Sequence, residues 1–321
     1  MYDERLSRFG HVLHAAYSKD SCYQPMSSVW SSLNRSVGQC AVSSFLVWEK
    51  FGGEVFSGRE VRSGIKHYWN MIGGERLDFT EDQFGYEPHF SEIELRNPSS
   101  LLADAAFADR LNILRSRVLE IDHRWNRLRE ECARCRACQN VEYVEGPIEH
   151  FGKNFDILLV GEAPAPNGWR VSGKAFQSID GKLIPSGKVL DDLLIEIGLR
   201  LDDLSFTEAA KCFPSNGRIR KANIAYCSSI LKSQISLFRP LVVVPMGANA
   251  IRAVMNKDVS ASQVVGCRFL FVEEANYCII PIFHPSPANP MCRKGNREAF
   301  KVIATELERI RSRREESICE L

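Results

Sequence analysis

Two apolar segments, each running directly into a tight polar turn, constrain the fold of this chain more than any other feature. The first is Ile157-Leu-Leu-Val160, followed by Gly-Glu-Ala-Pro, and the second is Ile279-Ile-Pro-Ile-Phe283, followed by His-Pro-Ser-Pro. Short runs of this kind are typical of strands buried on both faces of a sheet. The turns expose main-chain N–H groups at the carboxyl ends of the strands, where open α/β sheets bind ligands. The two turns are therefore predicted to form opposite walls of one pocket.

From residue 155 onward, strand-like and helix-like segments alternate along the chain. This alternation predicts an α/β domain whose mostly parallel sheet is covered on both faces by helices. The expected strands are residues 155–161, 204–210, 241–246, 268–273 and 277–283, and the expected helices are residues 186–198, 219–238, 248–255 and 296–316.

The first part of the chain mixes short helix-like and strand-like pieces, which predicts a smaller α+β domain. A chain of 321 residues is long enough for two domains of ordinary size. We expect an N-terminal domain over residues 1–98, a helical linker over 99–131, and a second domain over 132–321.

The composition is that of an ordinary globular protein, with 45% apolar and 25% charged residues. The longest apolar runs are too short to cross a membrane, and the first residues lack the pattern of a signal peptide. We therefore expect a cytoplasmic protein with no membrane partner. Its 11 cysteines then favour reduced thiols, metal ligands or catalysis over disulfides. The net charge of +1 gives no strong electrostatic signature for nucleic acid.

Four motifs, in order over about 130 residues, resemble those of the uracil-DNA glycosylase superfamily. They are Gly161-Glu-Ala-Pro-Ala165, Gly173-Lys-Ala-Phe176, Thr207-Glu-Ala-Ala-Lys-Cys212 and His284-Pro-Ser-Pro287. The resemblance implies a three-layer α/β/α sandwich, DNA as the partner, and hydrolysis of the N-glycosidic bond of a base flipped out of the duplex.

The resemblance also implies roles for particular residues. Glu162, His284 and Asp180 are the catalytic candidates, for orienting water or for meeting the charge on the departing base. Phe176 is expected to stack on the flipped base, beside Gly161, Ala163 and Glu208 as further base-binding residues. The residues expected to contact DNA are Pro285, Ser286, Pro287 and Arg293.

Two positions depart from the superfamily pattern. Ala163 stands where well-understood members carry Asp or Asn, so the group that activates water is left open between Glu162 and Asp180. Glu208 stands where the resemblance leads us to expect Asn, which offers uracil one donor and one acceptor. An ionised Glu only accepts. We therefore expect a base with an amino group, cytosine or a modified cytosine, to be preferred over uracil.

The cysteines include two overlapping Cys-x-x-Cys units, Cys132, Cys135 and Cys138, and two later residues, Cys212 and Cys227. Four thiolates suit either an iron–sulfur cluster or zinc. Resemblance to the glycosylases called family four implies a four-iron, four-sulfur cluster. The ligands it implies are Cys135, Cys138, Cys212 and Cys227, with Cys132 as an alternative.

The N-terminal domain contains a possible thiol hydrolase site. Cys40 precedes an apolar helix-like run, and a helix N-terminus favours the thiolate. His67 and Asp78 lie in strand-like segments and could act as its base and the group that orients that base, with Asn70 as a rival to Asp78. Gln39 is a candidate for an oxyanion hole.

The same domain resembles the YunG-like group of papain-fold domains. The resemblance covers residues 20–90 through Gly38-Gln-Cys40, Phe51-Gly-Gly-Glu54, His67-Tyr-Trp-Asn70 and Leu77-Asp-Phe-Thr-Glu-Asp-Gln-Phe84. Two alternatives to a DNA glycosylase therefore stay open. One is a thiol hydrolase or transferase whose second domain only recognises nucleic acid. The other is a non-catalytic nucleic-acid sensor in defence against foreign DNA.

Overall fold

The structure, a computed structural model, describes residues 4–139, 141–144, 149–165, 167–214, 219–271 and 277–321. The chain forms two compact units. The N-terminal unit consists of Phe9–Asp122 and Leu307–Leu321, and the C-terminal unit consists of Met1–Arg8 and His123–Glu306. Within the described ranges, no helix is both long and apolar enough to cross a membrane.

The sheet of the N-terminal unit is antiparallel and has the strand order β3-β2-β1-β4. Its strands are β1 (Glu54–Glu60), β2 (Lys66–Ile72), β3 (Glu75–Leu77) and β4 (Phe90–Arg96). The first three helices of the chain are α1 (Glu4–Ala16), α2 (Cys40–Phe51) and α3 (Ala105–Arg134). The predicted helix after Gly38 is α2, which buries most of its first two turns because its sequence is apolar or small there.

The C-terminal unit has a six-stranded mixed sheet, so the predicted α/β class is confirmed. The strand order is β11-β12-β10-β7-β8-β6. Its strands are β6 (Glu149–His150), β7 (Asn154–Gly161), β8 (Leu204–Glu208), β10 (Val242–Pro245), β11 (Phe269–Phe271) and β12 (Tyr277–Ile279). The four central strands are parallel and the two edge strands are antiparallel.

In the described ranges, the chain after α3 also contains one small ribbon and six α-helices. The ribbon pairs β5 (Val141–Glu142) with β9 (Phe213–Pro214). The helices are α4 (Trp169–Ser172), α5 (Pro185–Ile195), α6 (Lys221–Phe238), α7 (Ala248–Met255), α8 (Ala261–Val264) and α9 (Met291–Cys319). All five expected strands and all four expected helices are present among the described residues, and residues 272 and 273 of the expected strand 268–273 lie outside them. Helix α9 begins five residues earlier than predicted.

The register of the central strands brings their carboxyl ends to one edge. Gly161 at the end of β7 pairs with Glu208 at the end of β8, and Val160 pairs with Pro245 at the end of β10. The segments that follow these strands must therefore meet in space, as the two apolar runs of the sequence predict.

Candidate active site

A cavity of about 290 Å³ lies at this edge of the sheet. Its lining includes nine residues singled out from the sequence: Gly161, Glu162, Ala163, Phe176, Glu208, His284, Pro285, Ser286 and Pro287. Two predicted site residues, Asp180 and Arg293, lie outside the lining. Asp180 is exposed, accepts a hydrogen bond from Ser178 and pairs with Lys182 at 3.3 Å. Arg293 is exposed near the start of α9.

An aromatic wall forms one side of the cavity. Phe176 packs edge-on against Phe206 of β8, with ring centroids 5.4 Å apart, and Trp169 stacks on Phe206 at 5.9 Å. Phe176 has a φ of 60°, a conformation that is uncommon for a bulky residue and clusters at functional sites. Gly187 makes this possible, because a Cβ there would lie 2.7 Å from the Phe176 Cβ.

Glu162 and His284 face each other across the turns that follow the two apolar segments. The side-chain amide of Asn249 donates to Glu162 Oε1 at 2.9 Å and so fixes the carboxylate. Although the His284 residue is exposed, partial burial of its imidazole lowers its pKa, while the nearby Glu162 raises it. Gly247 has a φ of 86°, and a Cβ there would lie 3.1 Å from the His284 Cβ, so glycine lets the turn after β10 pass close to His284. A neutral imidazole here can donate one hydrogen bond.

Glu208 is buried, 5% exposed, and its Oε2 has no hydrogen-bond partner among the residues that the structure describes. Any Cβ at Gly161 would collide with this oxygen. The buried ammonium of Lys211 donates instead to Thr207 Oγ1 at 3.0 Å and to the main-chain carbonyl of Glu208. Burial raises the pKa of Glu208 well above its usual value; Lys211 lowers it, and Glu162 raises it further.

The five cysteines of the expected cluster lie within electrostatic reach of one another. Burial raises the pKa of Cys132 to about 12 and also raises the pKa values of Cys212 and Cys227. Main-chain N–H groups point at two of the sulfurs: Lys211 donates to Cys227 Sγ at 3.5 Å, and Val144 donates to Cys212. Buried sulfurs that accept N–H bonds suit thiolate ligands, because such bonds stabilise the charged form.

These sulfurs do not form a compact site for one ion. Among the described residues, no group of three His, Cys, Asp or Glu side chains is arranged to hold a single metal ion. Four thiolates of this kind suit either an iron–sulfur cluster or zinc.

The N-terminal unit brings Cys40, His67 and Asp78 together. Cys40 is the first residue of α2, and His67 Nε2 lies 2.6 Å from Asp78 Oδ2. His67 is fully buried, which by itself lowers the pKa of its imidazole. Asp78, just past β3, and a hydrogen bond to Cys40 outweigh this effect and raise the pKa to about 10. The side-chain amide of Gln83 lies 2.9 Å from the other ring nitrogen, Nδ1.

Two other predicted members of this site have different partners. The Asn70 amide donates to the main-chain oxygen of Ser44, and the Gln39 amide donates to the main-chain oxygen of Ser18. Asp78, rather than Asn70, is therefore the residue that holds His67. The Gln39 amide nitrogen is already engaged with Ser18.

Comparison with known proteins finds a family model for each part of the chain. The family model for the uracil DNA glycosylase superfamily matches residues 148–308, and the model for the YunG protein matches residues 5–131. The chain belongs to the uracil DNA glycosylase superfamily, with a YunG domain preceding it.

Individual relatives show the same division. A type-4 uracil-DNA glycosylase of Thermotoga maritima is 28% identical over 57% of this chain and 91% of its own length. Another, of Archaeoglobus fulgidus, is 30% identical over 54% of this chain and 88% of its own length. The protein YunG of Bacillus subtilis is 33% identical over 31% of this chain and 75% of its own length.

In this member of the superfamily, several site residues escaped the sequence analysis. Asn249 lies on α7, Phe206 and Trp169 complete the aromatic wall, Lys211 lies beneath Glu208, and Gln83 contacts His67. Lys211 lies in the motif Thr207–Cys212 and Gln83 in the motif Leu77–Phe84, so both segments carried a usable signal. Phe206 lies only in the expected strand 204–210, and Asn249 carries no comparable signal.

Proposed function

We propose that this chain is a DNA glycosylase that hydrolyses the N-glycosidic bond of a flipped base and leaves an abasic site. The observation that carries the proposal is the convergence of Glu162, Phe176, Glu208 and His284 on one cavity of about 290 Å³. That volume is at the small end of ligand pockets and suits a single base. The similarity to type-4 uracil-DNA glycosylases supports it.

Each wall of the cavity has a part in this reaction. Phe176 stacks on the face of the base, and Phe206 supports its ring from the side. His284 donates to an oxygen of the departing base. Glu162, held by Asn249, orients the water that attacks C1′ of the sugar. We leave Asp180 out of the chemistry because it does not line the cavity.

The turn after β12 forms the DNA-contacting loop of the proposal. Pro285 and Pro287 restrict its backbone, so that less conformational entropy is lost when DNA binds. Ser286 can donate to a phosphate oxygen. Arg293 remains a candidate for a phosphate contact outside the cavity.

We propose that the preferred base derives from cytosine. Glu208 lines the cavity at the position of the base-reading motif, and its buried carboxyl lacks a partner for Oε2. A base edge with an amino group offers such a partner. Selectivity for modified cytosine would suit a role in defence against foreign DNA, which stays a prediction. A cytoplasmic location is a separate prediction.

Cys135, Cys138, Cys212 and Cys227 are the proposed ligands of a four-iron, four-sulfur cluster, with Cys132 as the alternative to one of them. The cluster would be structural, linking the end of α3 to the segment after β8. Zinc is the alternative centre, because four thiolates suit either one. Measurement of the iron, acid-labile sulfide and zinc contents of the purified chain tests this directly.

Abasic-site formation on labelled DNA tests the glycosylase proposal. The single- and double-stranded substrates carry uracil, cytosine, hydroxymethylcytosine or glucosylated hydroxymethylcytosine. Phe176→Ala and Glu162→Ala are the matched variants, and we expect each to lower the rate of release. Failure of the wild-type chain to release any of these bases would refute the proposal.

A second activity is supported by the 2.6 Å contact between His67 and Asp78 and by the bond between His67 and Cys40. We propose that Cys40 is the nucleophile of a thiol hydrolase or transferase, with His67 as its base. Alkylation of Cys40 by iodoacetamide tests it. We expect alkylation to be fast in the wild type and slow in His67→Ala, with Cys278, which is buried, unmodified in both. Equal rates in the two proteins would contradict this activity.

A further inference from the structure

The unpartnered carboxyl of Glu208 has no structural explanation within the fold. It sits at the end of β8, where its Oε2 is buried and has no hydrogen-bond partner in the described part of the chain. Only a glycine at position 161 leaves room for that oxygen, because a Cβ there would collide with it. Buried polar groups are almost always paired. An oxygen kept unpaired in a cavity wall therefore points to a ligand.

Two charged groups act on Glu208, and neither binds its carboxyl directly. The ammonium of Lys211 is committed to Thr207 Oγ1 and to the Glu208 main chain, and the carboxylate of Glu162 adds repulsion. Together with burial, this raises the pKa of Glu208 well above its usual value. These effects favour the neutral, protonated form of the carboxyl, which can donate as well as accept.

The base to be removed determines what such an acid can do. When the glycosidic bond breaks, the bonding electrons go to N1 of the base. Uracil can leave as an anion, because two carbonyl oxygens share the charge. Cytosine has an amino group in place of one of those oxygens and leaves poorly as an anion. A proton on N3 lets cytosine leave as a neutral molecule.

We propose that the carboxylic acid of Glu208 donates its proton to N3 of a flipped cytosine-type base while the glycosidic bond breaks. This inference rests on the proposed glycosylase function and adds a catalytic role to a base-binding residue. The carbonyl oxygen of the same carboxyl accepts from the exocyclic amino group, so the base edge is held by two parallel hydrogen bonds.

The step balances without a further reactant. The O–H bond of Glu208 breaks and an N3–H bond forms, while the C1′–N1 bond breaks with both electrons passing to the base. Water adds to C1′ and gives its proton to the Glu162 carboxylate. Exchange with solvent then returns Glu208 to its acid form and Glu162 to its carboxylate. The net reaction is hydrolysis to a neutral base and an abasic site.

The same acid is not required for uracil. A neutral carboxyl can pair with N3–H and O4 of uracil, but no proton need be transferred for that base to leave. Glu208→Gln separates the two cases, because Gln keeps one donor and one acceptor of the same shape and cannot give up a proton.

The test compares single-turnover release of cytosine-type bases and of uracil by the full chain, between pH 5 and pH 10. We expect wild-type release of a cytosine-type base to fall tenfold per pH unit above the pKa of Glu208, and uracil release to lack this decline. In Glu208→Gln we expect a loss of about 100-fold or more for the cytosine-type base. Uracil release should fall much less than release of the cytosine-type base, and urea denaturation beside the wild type shows whether the variant is folded.

The outcomes separate this inference from the function on which it rests. Release of uracil without any cytosine-type base would overturn the role of Glu208 and leave the glycosylase standing. Release of the cytosine-type base by Glu208→Gln within threefold of wild type would also overturn it. So would identical pH profiles for both bases in the wild-type chain, a result that needs no variant. No release of any base would overturn the glycosylase proposal itself.

Discussion

Substitution of Gly161 by Ala tests how tightly the ends of β7 and β8 enclose the carboxyl of Glu208. An added Cβ would lie 2.8 Å from Glu208 Cδ and 3.0 Å from Phe206 Cζ, besides colliding with Oε2. Overpacking of a buried site costs about 1–3 kcal/mol, whereas Ala in a strand gains roughly 0.5–1 kcal/mol over Gly. We expect Gly161→Ala to lower the free energy of unfolding by about 1–2 kcal/mol.

A double-mutant cycle isolates the cause. In a Glu208→Ala background the obstructing carboxyl is gone, so Gly161→Ala should be neutral or stabilising by about 0.5 kcal/mol. The coupling energy is then roughly 2 kcal/mol, within the range for residues in contact. Urea denaturation of the four proteins measures it. A cost of Gly161→Ala that is equal in both backgrounds, to within about 0.5 kcal/mol, would refute the packing argument.

Three further predictions concern the other groups described. Asn249→Ala removes a hydrogen bond to a carboxylate, worth about 1.5–3 kcal/mol, and should lower kcat for base release about 10- to 100-fold with little change in KM. Asp78→Asn should destabilise the chain most at about pH 6, below the unfolded-state pKa of His67. The pKa of His67 is raised to about 10 in the folded chain, from 6.5 in the unfolded chain. The contribution of the His67–Asp78 pair to the free energy of unfolding is therefore complete below pH 6.5 and is lost as the pH rises through 10. Cys227→Ser should lower the iron and sulfide content of the purified chain.

Each of these has its own control. A parallel rise in KM for Asn249→Ala would indicate a DNA-binding role instead. Denaturation of Asp78→Asn and wild type at pH 6, 8 and 10 should show a shrinking difference, and a constant difference would contradict the His67 assignment. Cys278→Ser changes another buried cysteine and should leave the iron content unchanged.

Local sequence patterns predicted most of the C-terminal sheet because its central strands are buried on both faces. The run that forms β7 is apolar without interruption, and the expected 155–161 differs from the observed Asn154–Gly161 by one residue. The expected helix 248–255 coincides with α7. The two-residue strand β6 could not be predicted, since it exists only through its pairing with Thr207 and Phe206.

The sequence by itself also determined the types of chemical group in the site. The motif turns supplied Glu162, Phe176, Glu208 and His284, and the parallel strand pattern placed their turns at one edge. Only the tertiary structure decided which partners these groups have. Asn249 lies 87 residues from Glu162 and meets it because β10 is the neighbour of β7.

The state of Glu208 shows the physical reason for this division. Its place at the end of a strand follows from a local pattern, since side-chain burial in a strand repeats along the sequence. Its raised pKa depends on burial, on the committed ammonium of Lys211 and on the nearby carboxylate of Glu162. The pKa of a group depends on its solvation and on the charges of all the atoms packed around it. A local sequence pattern does not contain this information, so the raised pKa of Glu208 depends on the fold.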